Sequence, residues 1–116
     1  MGSSPTPGTT YTVAMSRSLI ERRLIDVSER LKLLRADLLV QDEQVAHFVE
    51  EADDARLRSL VSETPLAEHD HREAARHAAA MTRGRDEVVT EIARLELLQD
   101  DLLDQLQSLA TDTPTA

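Results

Sequence analysis

The chain has 116 residues, with 13 Lys and Arg against 22 Asp and Glu, and a formal net charge of −9 that repels phosphate backbones and disfavours general nucleic-acid binding. One Phe, one Tyr, no Trp and no Cys require an aliphatic core and exclude both disulfides and a Cys-based zinc site. The length fits one small domain, and no stretch approaches the ~20 apolar residues of a membrane span. A cysteine-free composition fits a reducing compartment, so a soluble, cytoplasmic protein is the expectation.

Residues Met1 to Ala14 combine neither a basic start nor an apolar run, unlike a signal peptide. Ser3-Ser4-Pro5-Thr6-Pro7-Gly8 buries too little apolar surface to offset its ordering entropy, which predicts a disordered tail over 1–14. Tyr11 and Val13 are its candidates for docking onto the helices. A first helix is predicted over 16–62. Ser18 and Glu21 have the spacing of a capping box, and neither Gly nor Pro occurs from there to Val61. Two apolar ladders run along it with seven-residue steps. One is Ile20, Val27, Leu34, Phe48 and Ala55, broken only by Gln41; the other is Leu24, Leu31, Leu38, Val45 and Ala52. Their 3-4 interleaving is the seam of a coiled coil. At 1.5 Å per residue such a helix is ~60–65 Å long, and it needs a partner along its length.

Ser62-Glu63-Thr64-Pro65 marks a turn, assigned to 63–69. Proline cannot continue a helix but suits the first position of a new one, with Thr64 as N-cap. A rival start is Asp70, with Glu73 completing a second capping box. A second helix is predicted over 65–110 and a short polar tail over 111–116. Its ladders are Ala74, Met81, Val88, Leu95, Leu102 and Leu109, and Ala78, Ile92 and Leu106 with Arg85 and Gln99 in the intervening slots. Ile20 with Leu109, Val27 with Leu102, Leu34 with Leu95, Phe48 with Met81 and Ala55 with Ala74 all have indices summing to 129. That is the signature of two helices folded back about a point between Thr64 and Pro65. The expected fold is therefore all-α, a long antiparallel two-helix coiled-coil hairpin. Near the turn the seam thins to Ala52 and Ala55 against Ala74, Ala75 and Ala78, and Gly84 falls opposite Val45 at a cost of ~1 kcal/mol relative to Ala. The turn half is thus expected to be the looser one.

Apolar residues outnumber this seam. Ile25, Leu33, Leu39, Val40, Val49, Val89, Leu97, Leu98 and Leu103 broaden each stripe beyond two in seven. The expectation is a second interface, most simply a homodimer forming a four-helix bundle.

Three groups of residues carry possible chemistry. His69, His71, Glu73 and His77 are the candidate metal ligands, Glu73 and His77 having the i, i+4 spacing of a ligand pair, though with neither HExxH nor Cys. Glu50, Glu51, Asp53 and Asp54 make part of the first helix acidic and are the candidate surface for a basic partner. Asp100, Asp101 and Asp104 fall beside Arg23 and Arg30 in the antiparallel register, which predicts rim ion pairs. The basic run Arg17 to Arg35 has no interleaved aromatic for base stacking. Phosphate-cradling glycine loops and nucleophile elbows are missing, so the expectation is no catalysis and no cofactor, and a protein–protein interaction module that docks onto a larger complex.

Ser16-Arg17-Ser18-Leu19-Ile20-Glu21-Arg22-Arg23 and Leu60-Val61-Ser62-Glu63-Thr64-Pro65-Leu66-Ala67-Glu68 resemble stretches of a group of small actinobacterial helical-hairpin proteins. With Asp53-Asp54-Ala55, the acidic hairpin is similar in architecture to the coiled-coil arms of Gre-type and DksA-type factors. That resemblance implies a second function, regulation of transcription through binding RNA polymerase at the hairpin tip. The arms of those factors carry their acids at the very tip, whereas Asp53 and Asp54 lie ~15 Å back along the helix. A third function, a His-based metal response, follows from the histidine group alone.

Overall fold

A computed structural model describes residues 5–111, with side chains from Arg17 onward. Two helices occupy nearly all of it, α1 (Pro5–Ser62) and α2 (Pro65–Thr111). The all-helical expectation holds, and the hairpin turn lies between them. Neither helix is long and apolar enough to cross a membrane among the described residues.

The start of α1 differs from the expected one. The helix begins at Pro5, so 5–14, expected in a disordered tail, belong to it. Pro5 and Pro7 both fall in the first turn, where backbone amides have no intrahelical acceptor and a missing N–H costs little. Ser18 is then a helix-interior residue. Glu21, expected to close a capping box with it, accepts a bond from Arg17 Nε at 3.1 Å one turn back. Met1–Ser4 and Asp112–Ala116 of the expected tails, and the side chains of Tyr11 and Val13, lie outside the described residues.

Only Glu63 and Thr64 separate the helices. Glu63 adopts φ 53°, the left-handed conformation that ends many helices, and its N–H reaches the Ser59 carbonyl at 3.1 Å, the single closing bond of that cap. Thr64 then caps α2: its Oγ1 accepts from the Ala67 N–H at 3.2 Å and its carbonyl from the Glu68 N–H at 3.1 Å. Of the two starts open in the sequence, Pro65 is the one used. Asp70 lies inside the helix.

The chain divides into two units, residues 33–92 and residues 1–32 with 93–116. The 33–92 unit contains the turn and is a helical hairpin. In the other unit the early part of α1 lies antiparallel to the late part of α2, with Ile20 beside Leu109 and Leu24 beside Leu103 around two surface recesses. From Ile20 onward the α1 residues that escape full exposure are 20, 24, 27, 31, 34, 38, 41, 45, 48, 52, 55 and 59. Steps of four and three alternate without error, as a coiled-coil seam requires. In α2 the same alternation runs through 67, 71, 74, 78, 81, 85, 88, 92, 95, 99, 102, 106 and 109, widened by 73, 82, 84 and 91. Of the expected seam, Ile20, Val27, Leu31, Ile92, Leu95 and Leu102 are buried, and Leu24, Leu34, Leu38, Val45, Phe48, Met81, Val88, Leu106 and Leu109 are half-buried. Leu31 and Leu102, the largest side chains to be fully buried, both belong to the unit formed by 1–32 and 93–116. The buried residues of the 33–92 unit are Ala55, Ala78 and Ile92, and its larger seam residues Leu34, Leu38, Val45, Phe48, Met81 and Val88 are half-buried.

The turn sets the energetics of its own residues. Left-handed backbone costs an L-residue roughly 1–2 kcal/mol that Gly avoids. Glu63→Gly is expected to raise stability by ~1 kcal/mol, and Thr64→Ala to lower it by ~1 kcal/mol through loss of the cap, with Thr64→Ser close to neutral; urea unfolding followed by circular dichroism measures all three.

Candidate functional site

The polar residues that interrupt the apolar ladders are the first side chains to follow, because a seam position without an apolar group needs a partner. In the unit built from the chain ends, Gln99 Nε2 donates across the helix pair to Ser28 Oγ at 3.0 Å. In the 33–92 hairpin, Arg85 Nε donates to Asp42 Oδ1 at 2.8 Å, with Asp86 a second, longer contact at 3.5 Å. Gln41 donates to Asp37 at 3.1 Å within α1, and its Oε1 would lie 3.5 Å from a Cβ placed on Gly84. Gln99 and Arg85 are thus partnered across the helices and Gln41 within its own.

These contacts scatter about the expected register. Residues 99 and 28, and 85 and 42, sum to 127; 84 and 41, and 77 and 48, sum to 125. Ile20 with Leu109, and Ala55 with Ala74, line shared recesses and keep the expected 129. The spread is that of seam residues and their flanking neighbours on two helices joined by Glu63 and Thr64. Gly84 lies close to the Gln41 side chain.

The Asp42 carboxylate, by its hydrogen bond and then by its charge, holds the Arg85 guanidinium above the usual arginine value; Asp86 adds to this and partial burial opposes it. A raised pKa means stability that is present below the unfolded value and lost only as pH rises through the folded one. The window lies beyond the ordinary arginine range, so through neutral pH this guanidinium contributes no pH dependence.

The histidines do not assemble as ligands. His77 stacks on the only phenylalanine, Phe48, with ring centroids 6.0 Å apart and planes 24° from parallel. His47 meets the edge of that ring at 5.5 Å and 73°. Glu73 pairs with Arg76 on its own helix. His71 is half-buried at a seam position while His69 is exposed. Among the described residues no group of three or more His, Cys, Asp or Glu is placed to hold a metal. The i, i+4 spacing of Glu73 and His77 is real, but the two side chains are drawn to different neighbours.

The acidic stretch separates into two faces, because helix residues three and four apart share a side. Glu51, Asp54 and Arg58 line one side of a surface recess of about 350 Å³ in the 33–92 hairpin, with Ala55 and Ala74 at its floor and Asp70 on the opposite helix. Glu51 also lies 3.3 Å from His47 Nε2. Glu50 and Asp53 are exposed and do not line it. Asp70 and Arg58 were missed as members of this group. Index pairing would have found them, since 70 and 58 sum to 128, one short of the expected 129. The expected rim pairs of Arg23 and Arg30 with Asp100, Asp101 and Asp104 are not formed among the described residues; Asp101 accepts from Gln105 at 2.9 Å along its own helix.

Compared with known protein families, with curated proteins and with solved structures, the chain matches none of them.

Gly84 is the most testable part of this surface. A methyl group there meets Gln41 Oε1 at 3.5 Å, an ordinary van der Waals distance, so nothing must move. Gly84→Ala is expected to stabilise the protein by ~0.5–1 kcal/mol through helix propensity, read as an increase in the denaturation midpoint at unchanged slope.

Proposed function

We propose that this protein is a non-enzymatic interaction module: a homodimer of helical hairpins, packed as a four-helix bundle, that docks onto a larger protein complex. One observation carries the reading. Among the described residues fourteen large aliphatic side chains are exposed, against eight buried hydrophobic residues of which two are alanines. A helix pair that leaves so many aliphatic side chains outside its seam has faces that further helices would cover. The docking surface is the recess of about 350 Å³ lined by Glu51, Asp54 and Asp70 together with Arg58, whose three acids against one base suit a Lys or Arg side chain of a partner.

Two experiments test the two parts. Sedimentation of the native chain at micromolar concentration is expected to give twice the monomer mass, and a strictly monomeric species removes the homodimer. Pull-down from the native host is expected to lose its principal partner in a Glu51→Ala, Asp54→Ala double variant, and unchanged recovery removes the recess as the docking surface.

A further inference from the structure

α1 is a single helix, and one of its exposed rows reads the same in both directions. One position past the ladder that starts at Leu24 come Ile25, Lys32, Leu39, Ala46, Asp53 and Leu60, seven residues apart and all exposed, Ile25 at 58%, Leu39 at 69% and Leu60 at 63%. Taken about the Asp42–Glu43 bond, Ile25 is matched with Leu60, Lys32 with Asp53 and Leu39 with Ala46, each pair summing to 85. On the rows either side Glu29 is matched with Arg56, Arg35 with Glu50 and Ala36 with Val49, while Ser28 falls opposite Leu57. Apart from that pair and the one at the axis, apolar meets apolar and positive meets negative.

We propose that this face of α1 packs antiparallel against the same face of a second copy, with the two-fold axis passing between Asp42 and Glu43. The inference rests on the homodimer reading above and supplies its face and register. A two-fold interface must be complementary to itself, and these rows are. Lys32 of one chain meets Asp53 of the other twice over, and Glu29 meets Arg56 twice. A parallel arrangement would set Lys32 against Lys32 and Asp53 against Asp53, so the charges select direction as well as partner. One like-charged match remains, Asp42 with Glu43 at the axis. There the Arg85 guanidinium, bonded to Asp42 at 2.8 Å, supplies a compensating positive charge. Glu51 and Asp54 lie on a different side of α1 from this row, so the acid-lined recess stays open in the dimer.

The test is a charge exchange in the full chain, read by sedimentation equilibrium. Lys32→Asp alone and Asp53→Lys alone each spoil two contacts and are expected to weaken dimerisation ~10-fold, while the two together restore it to within ~3-fold of native. Circular dichroism showing native helicity in each variant separates loss of association from loss of folding. Register is read by disulfide formation, since the chain has no cysteine of its own. Leu39→Cys combined with Ala46→Cys is expected to oxidise to a covalent dimer, and either substitution alone is not. Within one chain the two positions are ~10.5 Å apart along the helix, too far to be bridged. A monomeric native chain overturns this inference together with the homodimer. A dimer indifferent to the charge exchange, or one cross-linked by Leu39→Cys alone, overturns the α1 face and leaves the dimer standing. A different protein cross-linked at Leu39 in place of a second copy overturns the face as a self-contact.

Discussion

Burial in this protein is rationed by one constraint: two helices in contact shelter only two positions in every seven of each. The alternation of four-residue and three-residue steps from Ile20 to Ser59 in α1 is that constraint expressed along a chain. It decides which leucines are core and which are surface, although their chemistry is identical. Leu31 is fully buried and Leu33 is 68% exposed, two residues apart on the same helix. Hydrophobicity alone does not separate them, and position on the seven-residue cycle does.

A seam made only of interchangeable aliphatics would slide, because one heptad looks much like the next. The polar interruptions prevent this. Gln99 finds Ser28, Arg85 finds Asp42, and Gln41 lies over Gly84. An exposed hydrogen bond or ion pair of this kind adds little to stability, yet a slip of one heptad would put Ser28 beside Ile92 or Leu106 and Asp42 beside Ala78 or Ile92. Their value lies in specifying register. Apolar burial follows a different distribution, with the fully buried leucines in the unit made from the chain ends and the alanines in the unit that contains the turn.

Much of this was legible in the order of residues. The all-helical fold, the turn before Pro65, Thr64 as a cap and the buried ladders all follow from periodicity and from what proline forbids. The misreadings have physical causes. Ser18 and Glu21 have capping-box spacing, but that pattern also occurs wherever a helix continues, and the prolines ahead of it fit a first turn just as well. The conformation of the turn was not legible, because a left-handed Glu63 has no signature in composition; Gly at that position would have announced it. Ser59, Ala67 and His71 extend the seam toward the turn, and none of them is both large and apolar, so pattern recognition passed over them. At the candidate site, the acids were visible as a run, but their division into Glu51 with Asp54 and Glu50 with Asp53 depends on which helix lies alongside. Asp70 was visible only as a possible helix start. The histidine group was legible by spacing and not by direction, since nothing in a sequence says that His77 turns toward Phe48.

The two-residue connection has an entropic consequence. Closing a loop costs entropy that grows only with the logarithm of its length, ~0.6 kcal/mol for each doubling. The segments joined directly by Glu63 and Thr64 therefore meet most cheaply, yet they offer mostly alanine on contact. The Ser28–Gln99 contact, 71 residues apart in the chain, closes a longer loop, among leucines that return far more. A contact near the turn is thus cheap in entropy and poor in burial, and one near the chain ends is dearer in entropy and richer in burial.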